Sequence, residues 1–281
     1  MLSRRQVASV VVAAIASITL VAPALAQATN TALQKIIQDK KIRVGVAPFA
    51  PFVFKDLSTG ELKGFEIDAA KKLAGELGVE LELVEASWQT LIAGLQAGQY
   101  DVVMSSTKRT IQRALAVNFT DPYISLTDYA IVRDDSGISS WADVDKPGVT
   151  VTSVQGGAAH LKLIDPQTKV VKAATVAPMK ELNLAGVAVM TGQANVWVDD
   201  VVSISTFTAA NPGTKFNLIN VPFSGHGEGN GYAVRKGEVD LLNILNIFIE
   251  KNKNYGFYKD TAKKFGLPET ILVRSFIGSA T

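Results

Sequence analysis

Two hydrophobic periods alternate along the chain. IRVGV (42–46) and the alternating ELELV (80–84) have the length and residue types of strands. Between them Ile67, Ala70, Ala74 and Leu77 recur at helical spacing in FEIDAAKKLAGEL, so this stretch predicts strand, helix, strand. A short helix is predicted from Trp88 to Ala97 and a third strand from Asp101 to Met104. The alternation returns in VTVTS (149–153), a helix after Gly156-Gly157, ANVWV (194–198) and a helix after Asp199-Asp200. Strands separated by helices argue for an α/β architecture with largely parallel sheets. The recurrence is architectural, because the sequence itself shows no repeat and no low-complexity tract.

Two segments share a strand-then-charge shape, YAIVRDDSG (129–137) and GNGYAVRKGE (229–238). Two such crossings imply a chain that leaves one lobe, builds a second and returns. The expected division is 27–131 for the first part of lobe one, 132–230 for lobe two and 231–281 for the completion of lobe one. Two consecutive domains on one linker are the alternative. A two-crossing layout places a cleft between the lobes, where small-molecule sites concentrate and which hinge motion can close.

The first residues change where this fold is expected to work. Arg4 and Arg5 precede an apolar run from Val7 to Ala22, and Ala24-Leu25-Ala26 precedes Gln27. That pattern predicts a secretory signal over 1–26, too short in its apolar part for a membrane span. No later segment has the length and apolarity of a span, and the chain has no cysteine, hence neither disulfides nor a lipid-acceptor cysteine. A free periplasmic protein is therefore expected. Without Arg4 and Arg5 the 28 basic residues become 26, against 26 acidic ones. A formal charge of zero gives no reason to expect nucleic acid or an anionic membrane surface as a partner.

Taken together, IRVGV with FAPF (42–52), GELKGFEIDAAKKLAGELG (60–78), SWQTLIAGLQAGQYDVVMSS (87–106), Arg113 followed by NFTDPY, VQGG (154–157), NVWVDD and GYAVRKG resemble the periplasmic amino-acid-binding proteins of ABC importers. The resemblance covers essentially the whole chain after residue 27 and is specific as a set. It implies a periplasmic-binding-protein-like type II fold, with two lobes of mixed, largely parallel sheets joined by a two-crossing hinge. It also implies an amino acid as ligand, a membrane ABC permease as partner, a monomer, and no cofactor or metal.

An amino acid is a zwitterion, so its receptor needs a fixed cation, a fixed anion and an apolar wall. Arg113 is the best carboxylate partner, since a guanidinium presents a fork of donors; a solvated arginine or an internal salt bridge is the alternative. Ser105 and Ser106 end a strand at the carboxyl edge of the sheet, where hydroxyls and N–H groups can complete a carboxylate site, or where a serine pair simply closes the strand. Gly156 and Gly157 would let backbone N–H groups approach an anion, unless they only form a tight turn. The family often has a threonine just after this pair; here stand Ala158 and Ala159. By the resemblance Asp200 meets the ligand ammonium; its neighbour Asp199 is the alternative acid, unless it caps the following helix, a common role for Asp at such a boundary. Phe49 and Trp88 match aromatic positions that flank the ligand, with Phe52 the core residue of the FAPF turn.

Two departures bear on the ligand. Lys108 stands where the family usually has a small hydroxyl residue. As a second cation it would favour a ligand with extra negative charge, unless it extends outward and is inert. Val46-Ala47-Pro48 lacks the aspartate that lysine and arginine receptors often carry after the first strand, which argues against a basic ligand. His226 and Glu228 lie near the second crossing. Enzyme readings fare worse. Ser105-x-x-Lys108 has the spacing of a serine nucleophile and lysine base but no companion motifs. Dehydratases of the same fold carry a general-acid glutamate shortly after the lobe-two aspartate, where this chain reads VVSIS (201–205). With two histidines and no clustered ligand spacing, a metal site is not expected either.

Overall fold

The structure, a computed structural model, describes residues 31–223 and 228–274. The expected signal segment and His226 lie outside the described residues. The described residues begin with α1 (Ala32–Asp39), β1 (Lys41–Val46), the two-stranded ribbon β2 (Phe54–Lys55) and β3 (Leu62–Lys63), α2 (Phe65–Leu77), β4 (Glu80–Glu85), α3 (Leu91–Gln96), β5 (Val102–Val103), α4 (Ile111–Ala116) and β6 (Val117–Phe119). They continue through β7 (Asp128–Arg133), α5 (Trp141–Val144), β8 (Thr150–Thr152), α6 (Ala158–Leu163), β9 (Thr175–Val176), α7 (Leu182–Met190), β10 (Val196–Asp200), α8 (Val201–Ala210) and β11 (Phe216–Asn220). They close with β12 (Ala233–Arg235), α9 (Val239–Asn254), α10 (Phe257–Lys264) and a 3-10 turn at Glu269–Ile271.

The strands form two five-stranded sheets, β4-β1-β5-β12-β6 and β11-β7-β10-β8-β9. β1 pairs in parallel with β4 and β5, and β10 with β8, while β12 and β7 run antiparallel to their neighbours. Side-chain alternation in β1 explains its central place. Ile42, Val44 and Val46 pack on one face with Ile67, Leu73, Leu241 and Leu245, while Gly45 turns the other face toward Tyr100. β10 behaves likewise in the second sheet, with Val196 and Val198 in one core and Trp197 in the other.

The crossings are where pattern and structure differ. The boundary expected after residue 131 falls inside β7, which hydrogen-bonds to β10 on one side and β11 on the other. The first crossing therefore lies upstream of Asp128. A strand preceding a polar turn resembles the end of a lobe, but β7 is the antiparallel strand that opens the second sheet. On the return, Asn230 bridges to Lys108 and Ile124, β12 pairs with β5 and β6, and α9 and α10 bury Phe248, Ile249, Tyr258 and Ala262 in the first core. The helix expected from Trp88 begins only at Leu91. Ser87 to Thr90 form a turn, Thr90 N–H donating to the Ser87 carbonyl at 3.1 Å, and the Trp88 indole donates to the Pro48 carbonyl at 3.1 Å.

A methyl group on Gly45 would lie 2.4 Å from the Tyr100 ring, which is fully buried and has its hydroxyl tied to the Leu91 carbonyl. Gly45→Ala is expected to destabilise the fold by about 1–3 kcal/mol through overpacking, read as a lower midpoint in urea unfolding with an unchanged slope.

Candidate functional site

The carboxyl ends of β1, β5 and β10 converge on a cleft between the sheets, with about 430 Å³ of unfilled space counted with its mouth. Its walls include Phe49, Trp88, Ser106, Lys108 and Arg113 from the first sheet's side, and Asp128, Gly157, Asp199 and Asp200 from the second's.

Arg113 is placed by α4. Thr110 caps that helix by accepting the Arg113 N–H at 3.2 Å, and the turn exposes Ile111 and Leu115 while burying Arg113 to 6% exposure. The guanidinium donates to the Lys108 carbonyl at 3.1 Å and, across the cleft, to the Gly156 carbonyl at 2.9 Å. Among the described residues no carboxylate pairs with it, and burial lowers its pKa to about 10. The sheets meet closely here, since a methyl group on Gly156 would lie 2.6 Å from the Gln89 Cα.

The serine pair divides. Ser106 lines the cleft, but its N–H and hydroxyl both donate to Glu66, at 2.8 and 2.5 Å, which holds it at a left-handed φ of 46°. Ser105 is not part of the lining. Its hydroxyl accepts the Ala47 N–H and donates to the Ala47 carbonyl, both at 3.0 Å, splicing β5 to β1. The expectation that Ser105 meets a ligand is thus overturned; Ser105 and Lys108 serve different partners, which also speaks against the serine-lysine pair that the sequence disfavours. Gly156 also leaves the lining. Its N–H donates to His160 Nδ1 at 3.2 Å and that of Gly157 to the Val154 carbonyl at 3.0 Å, so neither N–H of the pair is available to an anion. Gly157 lines the cleft.

Lys108 turns inward, and its ammonium meets Asp128 at 2.5 Å, with Lys162 3.7 Å from the other carboxylate oxygen. The unpaired second cation behind the expectation of an acidic ligand does not exist in this arrangement. Asp128 sits opposite Asp200 in the β7–β10 register, so Lys108 offsets a like-charge pair. The two adjacent aspartates exchange one expected role. Asp200, not Asp199, caps α8, accepting from Val202 N–H at 2.9 Å, Ser203 N–H at 3.0 Å and the Ser203 hydroxyl at 2.7 Å. Asp199 Oδ1 accepts the Asp200 N–H at 2.9 Å while Oδ2 is buried without a partner among the described residues. Burial first, then its neighbour Asp200, holds the Asp199 carboxyl well above its ordinary range; burial also raises Asp200.

Phe49 and Trp88 form the aromatic wall, ring centroids 6.1 Å apart and edge to face, backed by the fully buried Phe52. Asp128, Leu126, Leu182 and Asn230 also line the cleft and went unread in the sequence. Only a strand register could have found Asp128, because its local pattern is that of any polar residue opening a strand.

A family model described as bacterial extracellular solute-binding proteins, family 3, matches residues 42–268. The chain belongs to that family. Family 3 relatives of this solute-binding protein include the probable histidine-binding protein of Campylobacter jejuni, 31% identical over 232 residues, covering 80% of this chain and 85% of the relative. A solved ancestral arginine-binding protein bound to arginine superposes with a TM-score of 0.70 at 31% identity, covering 80% of this chain and 98% of the other. The solute-binding protein also matches a cyclohexadienyl dehydratase of Pseudomonas aeruginosa, 29% identical over 149 residues, 52% of this chain and 55% of the enzyme. Its fold is the two-lobed type II arrangement. No helix among the described residues is long and apolar enough to cross a membrane.

Two outcomes test this electrostatic arrangement. Lys108→Met strands Asp128 as a buried charge and is expected to destabilise by about 3 kcal/mol, the low end for such pairs because Lys162 is near; adding Asp128→Leu should recover most of it in a double-mutant cycle. Glu66 is fully buried, and desolvation raises its carboxyl to about 7 against the hydrogen bonds from Ser106 and Tyr123. A raised carboxyl binds its proton more tightly in the folded state. Its contribution to stability is therefore complete below about pH 4.5 and falls as pH rises through 7, by about 3 kcal/mol. Glu66→Gln should make the fall of the unfolding free energy between pH 5 and 7 less steep, leaving the fall of the same sign that Asp199 and Asp200 contribute.

Proposed function

We propose that this protein is an extracytoplasmic receptor that captures an amino acid in the cleft and delivers it to an ABC importer. The observation that carries the reading is the Arg113 guanidinium, which is buried at the cleft, bonded among the described residues only to carbonyls, and retains donors for a carboxylate. The acids at the end of β10 lie in the same cleft and suit the ammonium, with Asp200 as its first partner beside its capping role. Phe49 and Trp88 supply apolar area and a ring face to the cation. Arg113, in α4 on the first sheet's side, and Asp200, at the end of β10 in the second sheet, face each other across the cleft, so a ligand held by both stabilises the closed arrangement and shifts the hinge equilibrium toward it. Export on a signal over 1–26, a free life in the periplasm as a monomer, and docking of the closed form to a membrane permease complete the proposal.

A catalytic reading has one observation in its favour, the match to a dehydratase over about half of each chain. Against it, the residues after Asp200 are Val201, Val202, Ser203, Ile204 and Ser205, and Ser203 spends its hydroxyl on Asp200. Chemistry of that kind needs a proton donor aimed at the leaving group, and these side chains do not provide a carboxyl there. The protein is proposed to bind without turnover, and incubation with prephenate should leave the substrate intact.

Thermal unfolding against a panel of amino acids tests the binding reading. At least one α-amino acid should raise the midpoint, and Arg113→Ala should weaken it by about 30-fold or more, as expected when one partner of a buried charge pair is removed. Unchanged affinity in the variant would remove the anchor.

A further inference from the structure

The charges of the cleft do not cancel among its own side chains. Among the described residues two cations line it, Lys108 and Arg113, with three carboxylates, Asp128, Asp199 and Asp200. Lys108 is taken by Asp128 at 2.5 Å, and the nearby Lys162 is taken chiefly by Glu228 at 2.6 Å. Arg113 is matched by the carboxylate of an amino acid, and Asp200, already bonded by the start of α8, by its ammonium. Asp199 is then one acid too many. It is 9% exposed and faces the cleft, and its Oδ2 has no donor among the described residues.

We propose that Asp199 is a specificity-determining residue whose unpartnered oxygen takes a second positively charged group, so that the cleft is built for an amino acid with a cationic side chain. The inference rests on the reading of the cleft as an amino-acid site. A carboxylate removed from water is costly unless a cation meets it, and otherwise it retains a proton. The raised state of the Asp199 carboxyl fits a group that exchanges that proton for the ligand's cation. A neutral side chain gives Asp199 nothing to exchange, and an anionic one would face Asp128, Asp199 and Asp200 together. The walls suit the rest of such a ligand, because Leu126, Leu182 and Trp88 offer apolar surface to a methylene stem beneath a charged head. Val46-Ala47-Pro48, where receptors for basic ligands often have an aspartate, carries no acid, and here the second acid comes from the opposite sheet.

The test compares ligands of matched shape and different charge by calorimetry on the intact protein, L-arginine with L-citrulline and L-lysine with L-norleucine, beside L-glutamate and L-leucine. The wild-type protein should prefer the cationic member of at least one pair by about ten-fold or more, as expected for a paired buried charge. Asp199→Asn, close in shape to the protonated acid, should bring that ratio to within about three-fold. Citrulline or norleucine binding as tightly as its cationic partner, glutamate or leucine binding best, or a ratio that survives Asp199→Asn would each overturn the inference while leaving the amino-acid site in place. The wild-type comparison stands even if the variant does not fold. Binding of no amino acid at all would overturn the underlying reading as well.

Discussion

The arrangement of the cleft depends on a buried guanidinium that no carboxylate of the described residues neutralises. Arg113 leaves a six-residue helix of the first sheet's side and bonds the Lys108 carbonyl behind it and the Gly156 carbonyl across from it. Carbonyl oxygens give hydrogen bonds but no countercharge, so the desolvation of this cation is only partly offset. An anion brought between the lobes would supply the remainder. On the proposed reading the same geometry would serve both recognition of a carboxylate and closure of the lobes around it.

The surrounding polar groups are organised so as not to compete. Lys108, whose carbonyl accepts from the guanidinium, has its ammonium paired with Asp128. Ser106, whose main chain could have reached an anion, is turned the other way by Glu66, itself fixed by Tyr123 within a group of stacked rings that includes Phe65, Tyr232 and Tyr258. That group joins the outgoing crossing at Tyr123 to Tyr232, just before the returning strand β12, so the support of the cleft floor and of the hinge is one packed unit. Asp200 ties the end of β10 to the start of α8 and fixes the floor's acidic edge.

Much of this was legible in the sequence because period and residue type act locally. The strands β1, β4, β8 and β10, the long helix α2 and the cleft residues Phe49, Trp88, Arg113 and Asp200 follow from pattern and from resemblance to receptors of known architecture. What failed depended on partners distant in sequence. Ser105 looks like a ligand residue until Ala47 is found 58 residues away taking both sides of its hydroxyl. Lys108 looks like an unpaired cation until the β7 register brings Asp128 to it. The lobe boundary erred because the strand from Asp128 to Arg133 has the same pattern whichever sheet it joins. That Asp200 and not Asp199 caps α8 was not legible, because two adjacent acids at a strand end are equivalent in sequence and are separated only by the φ and ψ of the turn.

The most direct test of the account is a crystal structure of the protein with its highest-affinity amino acid. The account predicts carboxylate oxygens about 2.7–2.9 Å from Arg113 nitrogens, with the amine against the acids at the end of β10. A ligand bound elsewhere, with Arg113 still bonded only to the Lys108 and Gly156 carbonyls, would contradict it.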